Sequence, residues 1–239
     1  MADSAESTQV FQKGWATLRE NPVLIVPPLI AFLIVLVLNY LLIGSIAVGM
    51  MGAMTGGSPG VRMGSIGAMA GTALLIMGLS IMLSMVAGGA TVAMAHDTLV
   101  GRATTLGSGF AAAQRRLGDL VVASILASIV IMVGFMLFLV PGLIAAFFLL
   151  YTLPAVMLGG TSGTGALSTS VKLVSSHLGD SLILAAGLLV IGVLVGIVGM
   201  IFRFVPVLGA LVTVILQAAL AAYAAAVIVA AYRRAEGLR

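Results

Sequence analysis

The sequence predicts an all-α integral membrane protein of six transmembrane helices, on three observations. Apolar residues make up 62% of the chain and charged residues 8%, against roughly half and roughly a quarter in a soluble domain. Several stretches reach the ~20 largely apolar residues that a helix needs to cross a hydrocarbon core of about 30 Å. None alternates strictly in the manner of a barrel strand, and backbone groups in hydrocarbon must be satisfied within their own segment, so these stretches are read as helices.

The six elements follow in order along a single membrane domain, residues 1–239. Residues 1–21 carry two acids before the first base and are too long and polar for the n-region of a secretory signal, so they are read as a retained, cytoplasmic amphipathic segment. Span one is expected at residues 23–50, opened by Pro22 and Pro27-Pro28, which suit a first turn whose N–H groups have no partners. A Gly- and Met-rich loop should follow at 51–63, with a turn signal in Gly56-Gly57-Ser58-Pro59-Gly60. Span two covers 67–94, and His96, Asp97 and Arg102 mark its return to water. Spans three, 120–140, and four, 143–158, are joined by Pro141-Gly142 as a tight hairpin. Pro154 should kink the fourth near its end. Span five covers 182–201 and span six 207–232, separated by Phe202-Arg203-Phe204-Val205-Pro206.

If all six segments cross, Lys13, Arg19, Arg102, Arg115, Arg116, Lys172, Arg233, Arg234 and Arg239 fall on the side of the termini, and only Arg62 and Arg203 opposite. The excess of bases puts both termini of the multi-pass chain in the cytoplasm. The same topology accounts for the formal charge of +4, so no nucleic-acid partner is expected. Cysteine is absent, which excludes disulfides, thiolate metal sites and cysteine nucleophiles.

Internal similarity is visible before each odd-numbered span. Residues 11–18, 110–117 and 171–178 align without gaps, and the last two continue as Leu117-Gly118-Asp119 and Leu178-Gly179-Asp180. Apolar groups recur at helical spacing: Val10, Phe11, Trp15 and Leu18; Phe110, Ala113 and Leu117; Leu167, Val171, Val174 and Leu178. The expectation is three repeats, each an interfacial amphipathic helix followed by a transmembrane hairpin. Trp15, Lys13, Arg19, Arg115 and Arg116 are the anchors at the interface.

Lipid competes equally for apolar side chains, so helices meet where small residues let backbones approach. The expected packing positions are Gly67 and Gly71, Ser84 and Gly88, Gly192 and Gly196, and Ala218, Ala222 and Ala226, within a monomeric bundle or across a dimer. Charges inside the spans would point to a transport path, and the six spans hold essentially none. Asn39 and Gln217 are the strongest polar side chains at depth, read as interhelical stitches or as substrate contacts.

Motif chemistry is sparse. Met50, Met51, Met54 and Met63 offer thioethers to copper(I), yet no His or Cys accompanies them, and Met is also an ordinary flexible apolar residue. His96-Asp97 and His177 with Asp180 place a histidine near a carboxylate, the minimum for a general base, but no motif positions a nucleophile. Arg115 and Arg116, with Arg102 and Lys172, face the level of anionic headgroups. No catalytic residue, metal or cofactor is assigned.

Val140-Pro141-Gly142, Leu153-Pro154-Ala155-Val156, and Ala166-Leu167-Ser168 with Ser170 stand in an order that resembles the membrane domain of bacterial glycerophosphodiester phosphodiesterases and its stand-alone six-helix relatives of unknown function. The resemblance covers residues 100–185 and extends loosely beyond them. It implies a six-helix module that anchors or accompanies something else. These residues include no soluble phosphodiesterase domain, and Gly159-Gly160 replace an acid often present in the family, so the resemblance transfers no activity. The reading is a non-enzymatic multi-pass anchor, scaffold or accessory subunit, with membrane lipids and other membrane proteins as partners. The alternative is a small-solute or lipid transporter or channel.

Overall fold

A computed structural model describes residues 2–55, 58–202, 204–205 and 208–237, leaving aside the side chains of 2–8, 61 and 62. Gly56, Gly57, Arg203, Pro206, Val207 and Arg239 lie outside the described residues, as does the Arg62 side chain. Among the described residues every regular element is helical. They are α1 (Ala2–Glu20), a 3-10 turn (Pro22–Ile25), α2 (Val26–Thr55), α3 (Pro59–Leu99), α4 (Leu106–Arg115), α5 (Leu117–Leu137), α6 (Leu139–Phe148), α7 (Thr152–Met157), α8 (Gly163–Ser176), α9 (Leu178–Phe202) and α10 (Leu208–Ala235). Six segments are long and apolar enough to cross a membrane: Pro22–Thr55, Met63–Leu99, Leu117–Leu137, Leu139–Met157, Leu178–Phe202 and Leu208–Ala235. The short helices α1, α4 and α8 each precede a pair of them, the element order that the threefold pattern implies.

The chain divides into two compact units, Ile30–Ser84 and the remainder. The smaller unit is a helical hairpin. Within the loop expected at 51–63, α2 runs on to Thr55 and α3 begins at Pro59, because Met50, Met51 and Met54 are good helix formers that prolong α2, and Pro59 fits the first position of α3. The two helices touch where glycines allow it. A Cβ at Gly49 would lie 2.8 Å from Met69 Cβ, and one at Gly52 would lie 3.1 Å from Ser65 Cβ. Most other side chains of this unit are exposed.

In the larger unit α1 packs on α10 and α9, α5 packs on α6, α7 and α8, and α9 packs on α10. Leu120, Tyr151, Val156, Val174, Val227 and Tyr232 are among its most buried side chains. The turn between spans three and four is not at Pro141-Gly142. Phe138 makes it, in extended conformation (φ −166°, ψ 164°), and Pro141 and Gly142 lie in the first turn of α6, where a proline needs no N–H partner.

Span four is broken rather than kinked. It stops at Phe148 and resumes at Thr152, because Pro154 has no N–H to offer the carbonyl of Leu150 and its ring crowds that carbonyl. The Ser170 hydroxyl of α8 fills the gap, accepting the Tyr151 N–H at 3.0 Å and donating to the Phe148 carbonyl at 2.8 Å. That contact sets the rotation of α8. Its buried stripe is Gly163, Ala166, Ser170 and Val174, one position round from the face expected of it. Val171 and Leu178 are exposed.

Candidate functional site at the interfacial-helix end

Local sequence fixes the short helices before packing does. Thr105 and Ser108 form a capping box at the start of α4: the Ser108 N–H donates to Thr105 Oγ1 at 3.2 Å and the Thr105 N–H to Ser108 Oγ at 3.1 Å. Ser162 caps α8 by accepting the Gly165 N–H. Asp119, in the first turn of α5, accepts the Gly163 N–H at 3.1 Å, a charge placed favourably at a helix N-terminus. The Leu-Gly-Asp motif thereby ties the start of α5 to the start of α8.

Three cavities open where α1, α4 and α8 meet the ends of the spans. The first, about 220 Å³, has walls of Val10, Phe11 and Leu184 and polar groups from Tyr151, His177, Asp180 and Arg234. The Tyr151 hydroxyl lies 3.3 Å from Ser181 Oγ, and its ring tilts against Tyr232 at 6.2 Å. A broader groove of about 730 Å³ runs beside α1, lined by Lys13, Thr17, Glu20, Arg233 and Arg234 among others. The third cavity, about 310 Å³, lies among α3, α4 and α7 with His96, Arg115 and Arg116 in its lining. Among the described residues, His96 Nδ1, Thr104 Oγ1, Thr152 Oγ1 and Arg233 Nε are buried without a hydrogen-bond partner.

His96 and Asp97 do not form a dyad of the kind their spacing suggests. Asp97 lies 3.9 Å from the Arg102 guanidinium, while His96 Nδ1 is unpartnered. His177 caps the end of α8, and its Nδ1 is 2.9 Å from Ser176 Oγ. No group of three His, Cys, Asp or Glu side chains converges among the described residues. Met50, Met51, Met54 and Met63 are exposed near the hairpin tip.

The packing positions divide sharply. Ala218, Ala222 and Ala226 are fully buried, and a Cβ at Gly88 would lie 3.2 Å from Leu153 Cδ2. Gly192 approaches only Leu220, at 3.9 Å, and Gly67, Gly71 and Gly196 have no atom within 4 Å of a Cβ position. Ser84 is exposed, its hydroxyl donating to the Ser80 carbonyl. Asn39 is exposed and no interhelical stitch. Its Nδ2 donates to the Val35 carbonyl of its own helix at 2.8 Å, a local partner that any helix supplies. Gln217 is exposed as well. Trp15 is 54% exposed, edge-on to Tyr223 at 6.4 Å and under the Arg19 guanidinium at 5.7 Å. Arg115 is exposed and Arg116 half-buried.

Pattern reading missed Gly49 and Gly52, where the hairpin closes, and the bridging role of Ser170. The Gly49-x-x-Gly52 spacing was a signal for the first. The second depends on a contact across 22 residues that no local pattern announces.

The fold defines a multi-pass helical membrane protein, and these cavities give its larger unit polar-lined recesses. Comparison with protein-family models, curated proteins and solved structures finds no match.

Proposed function

We propose that this chain is a non-enzymatic module of a bacterial inner membrane, with both termini cytoplasmic, serving as an anchor, scaffold or accessory subunit of a membrane protein complex. The observation that carries the reading is the face of α3 bearing Gly60, Gly64, Gly67, Gly71 and Gly78. None of these five has any atom within 4 Å of a Cβ position. Their spacing of four, three, four and seven residues keeps them on one side of a helix. Small residues on a lipid-facing helix admit the close backbone approach that drives association in a bilayer, and here α2, the other helix of the hairpin, leaves that approach unused. The likeness to phosphodiesterase membrane domains agrees with an accompanying role.

Affinity purification from native membrane in mild detergent, followed by mass spectrometry, tests the reading. A stoichiometric membrane-protein partner is expected, lost on Gly67→Leu with Gly71→Leu. A homogeneous particle of this chain alone overturns it.

The second reading, a small-solute or lipid transporter, draws on the break in span four beside the first cavity, since interrupted spans frame the sites of many transporters. Ser170 weighs against it by closing the break from within. Solute uptake into proteoliposomes, abolished by filling the cavity with Ala231→Phe, would favour it.

A further inference from the structure

We propose that the cavity of about 310 Å³ among α3, α4 and α7 is a phosphate site that holds the headgroup of an anionic phospholipid. This goes beyond the partner reading and does not depend on it. Arg115 and Arg116 supply two guanidinium groups to the lining, and neither makes an ion pair with a described acid. His96 also contributes to the lining. The one acid in the lining, Asp97, already faces the Arg102 guanidinium at 3.9 Å.

The backbone passes close to Arg116. Gly160, at φ +63°, runs so close beneath the guanidinium that a Cβ there would lie 3.2 Å from Arg116 Nη2. Guanidinium forks match phosphate oxygens two at a time, which a point charge does not. Ala93, Met157 and Leu158 add an apolar part of the lining near the ends of spans two and four. That pairing of cations with apolar lining suits a phosphate still attached to its glycerol. The volume sits at the low end of the roughly 300–1,000 Å³ of small-molecule sites. With Asp97 engaged, the lining offers no free carboxylate to a choline or ethanolamine ammonium, so the headgroup selected is anionic.

Native mass spectrometry of the full chain, released from micelles doped with phosphatidylglycerol or phosphatidylcholine, reads the site directly. Wild type should retain one phosphatidylglycerol with about tenfold or greater preference, the loss expected from removing one charged hydrogen-bonding group. Arg116→Gln should abolish the preference. Gly160→Asp should do the same by placing a carboxylate against Arg116, whereas Gly160→Asn, which tolerates the same backbone, should keep it. Inorganic phosphate is the second arm. If it competes at millimolar concentration and raises the melting temperature of wild type but not of Arg116→Gln, while phosphatidylglycerol is not retained, the phosphate is soluble and the lipid assignment falls. Equal retention of both lipids by wild type and Arg116→Gln, with no phosphate response, overturns the site altogether.

Discussion

Ser170 shows how one hydroxyl can decide the shape of a span. Pro154 deprives the Leu150 carbonyl of a helical partner, and the chain responds by breaking one turn earlier, which frees the Tyr151 N–H and the Phe148 carbonyl. Both find the same buried oxygen. Ser170→Ala therefore leaves a buried donor unsatisfied and should cost about 1–3 kcal/mol, seen as a lower melting temperature in detergent. An unchanged melting curve would mean that water fills the gap. A tighter constraint applies at Gly14, where an added methyl would overlap Val227 of α10. Gly14→Val should detach α1, and a rise in proteolysis within residues 2–20 is the readout. The sequence marked Ser170 as part of a motif but not its task. Burial of Asn39 was expected because amides are costly in lipid, yet its own helix satisfies it at Val35.

At the scale of elements, hydropathy located all six spans, because length and apolarity are summed over twenty residues and tolerate local error. Their ends were less legible. Met and Gly at 50–55 look like loop in composition, while propensity lets α2 continue to Thr55. The rotation of α8 was likewise hidden, since Val171 is more apolar than Ser170 and only the break in a distant span favours burying the serine. The hairpin of residues 30–84 makes its own prediction. Because the chain lacks cysteine, Gly52→Cys with Ser65→Cys is a clean reporter. A Cβ at 52 lies 3.1 Å from Ser65 Cβ, near the ~3.5–4.5 Å of a disulfide after slight relaxation. Mild oxidation should cross-link this pair and leave Gly44→Cys with Gly71→Cys unlinked. The reverse pattern would mean that α2 and α3 meet on other faces.

At the scale of the whole molecule, charge and geometry bear on the same end of the protein. The cavities gather Lys13, Arg115, Arg116, Arg233 and Arg234 near α1, α4 and α8, whereas the order of spans along the sequence assigns only Arg62 and Arg203 to the other side. Cytoplasmic loops retain bases because their transfer is opposed during insertion, so the orientation we propose puts α4 inside the cell and the α2–α3 turn outside. Single cysteines at Gln114 and Gly60, both exposed, distinguish the two orientations. In intact spheroplasts a membrane-impermeant maleimide should label Gly60→Cys and reach Gln114→Cys only after lysis. Labelling of Gln114→Cys in intact cells would invert the topology. It would also set the basic cavities against the outer leaflet, and the attraction of the cytoplasmic surface could then no longer explain why the bases collect at that end.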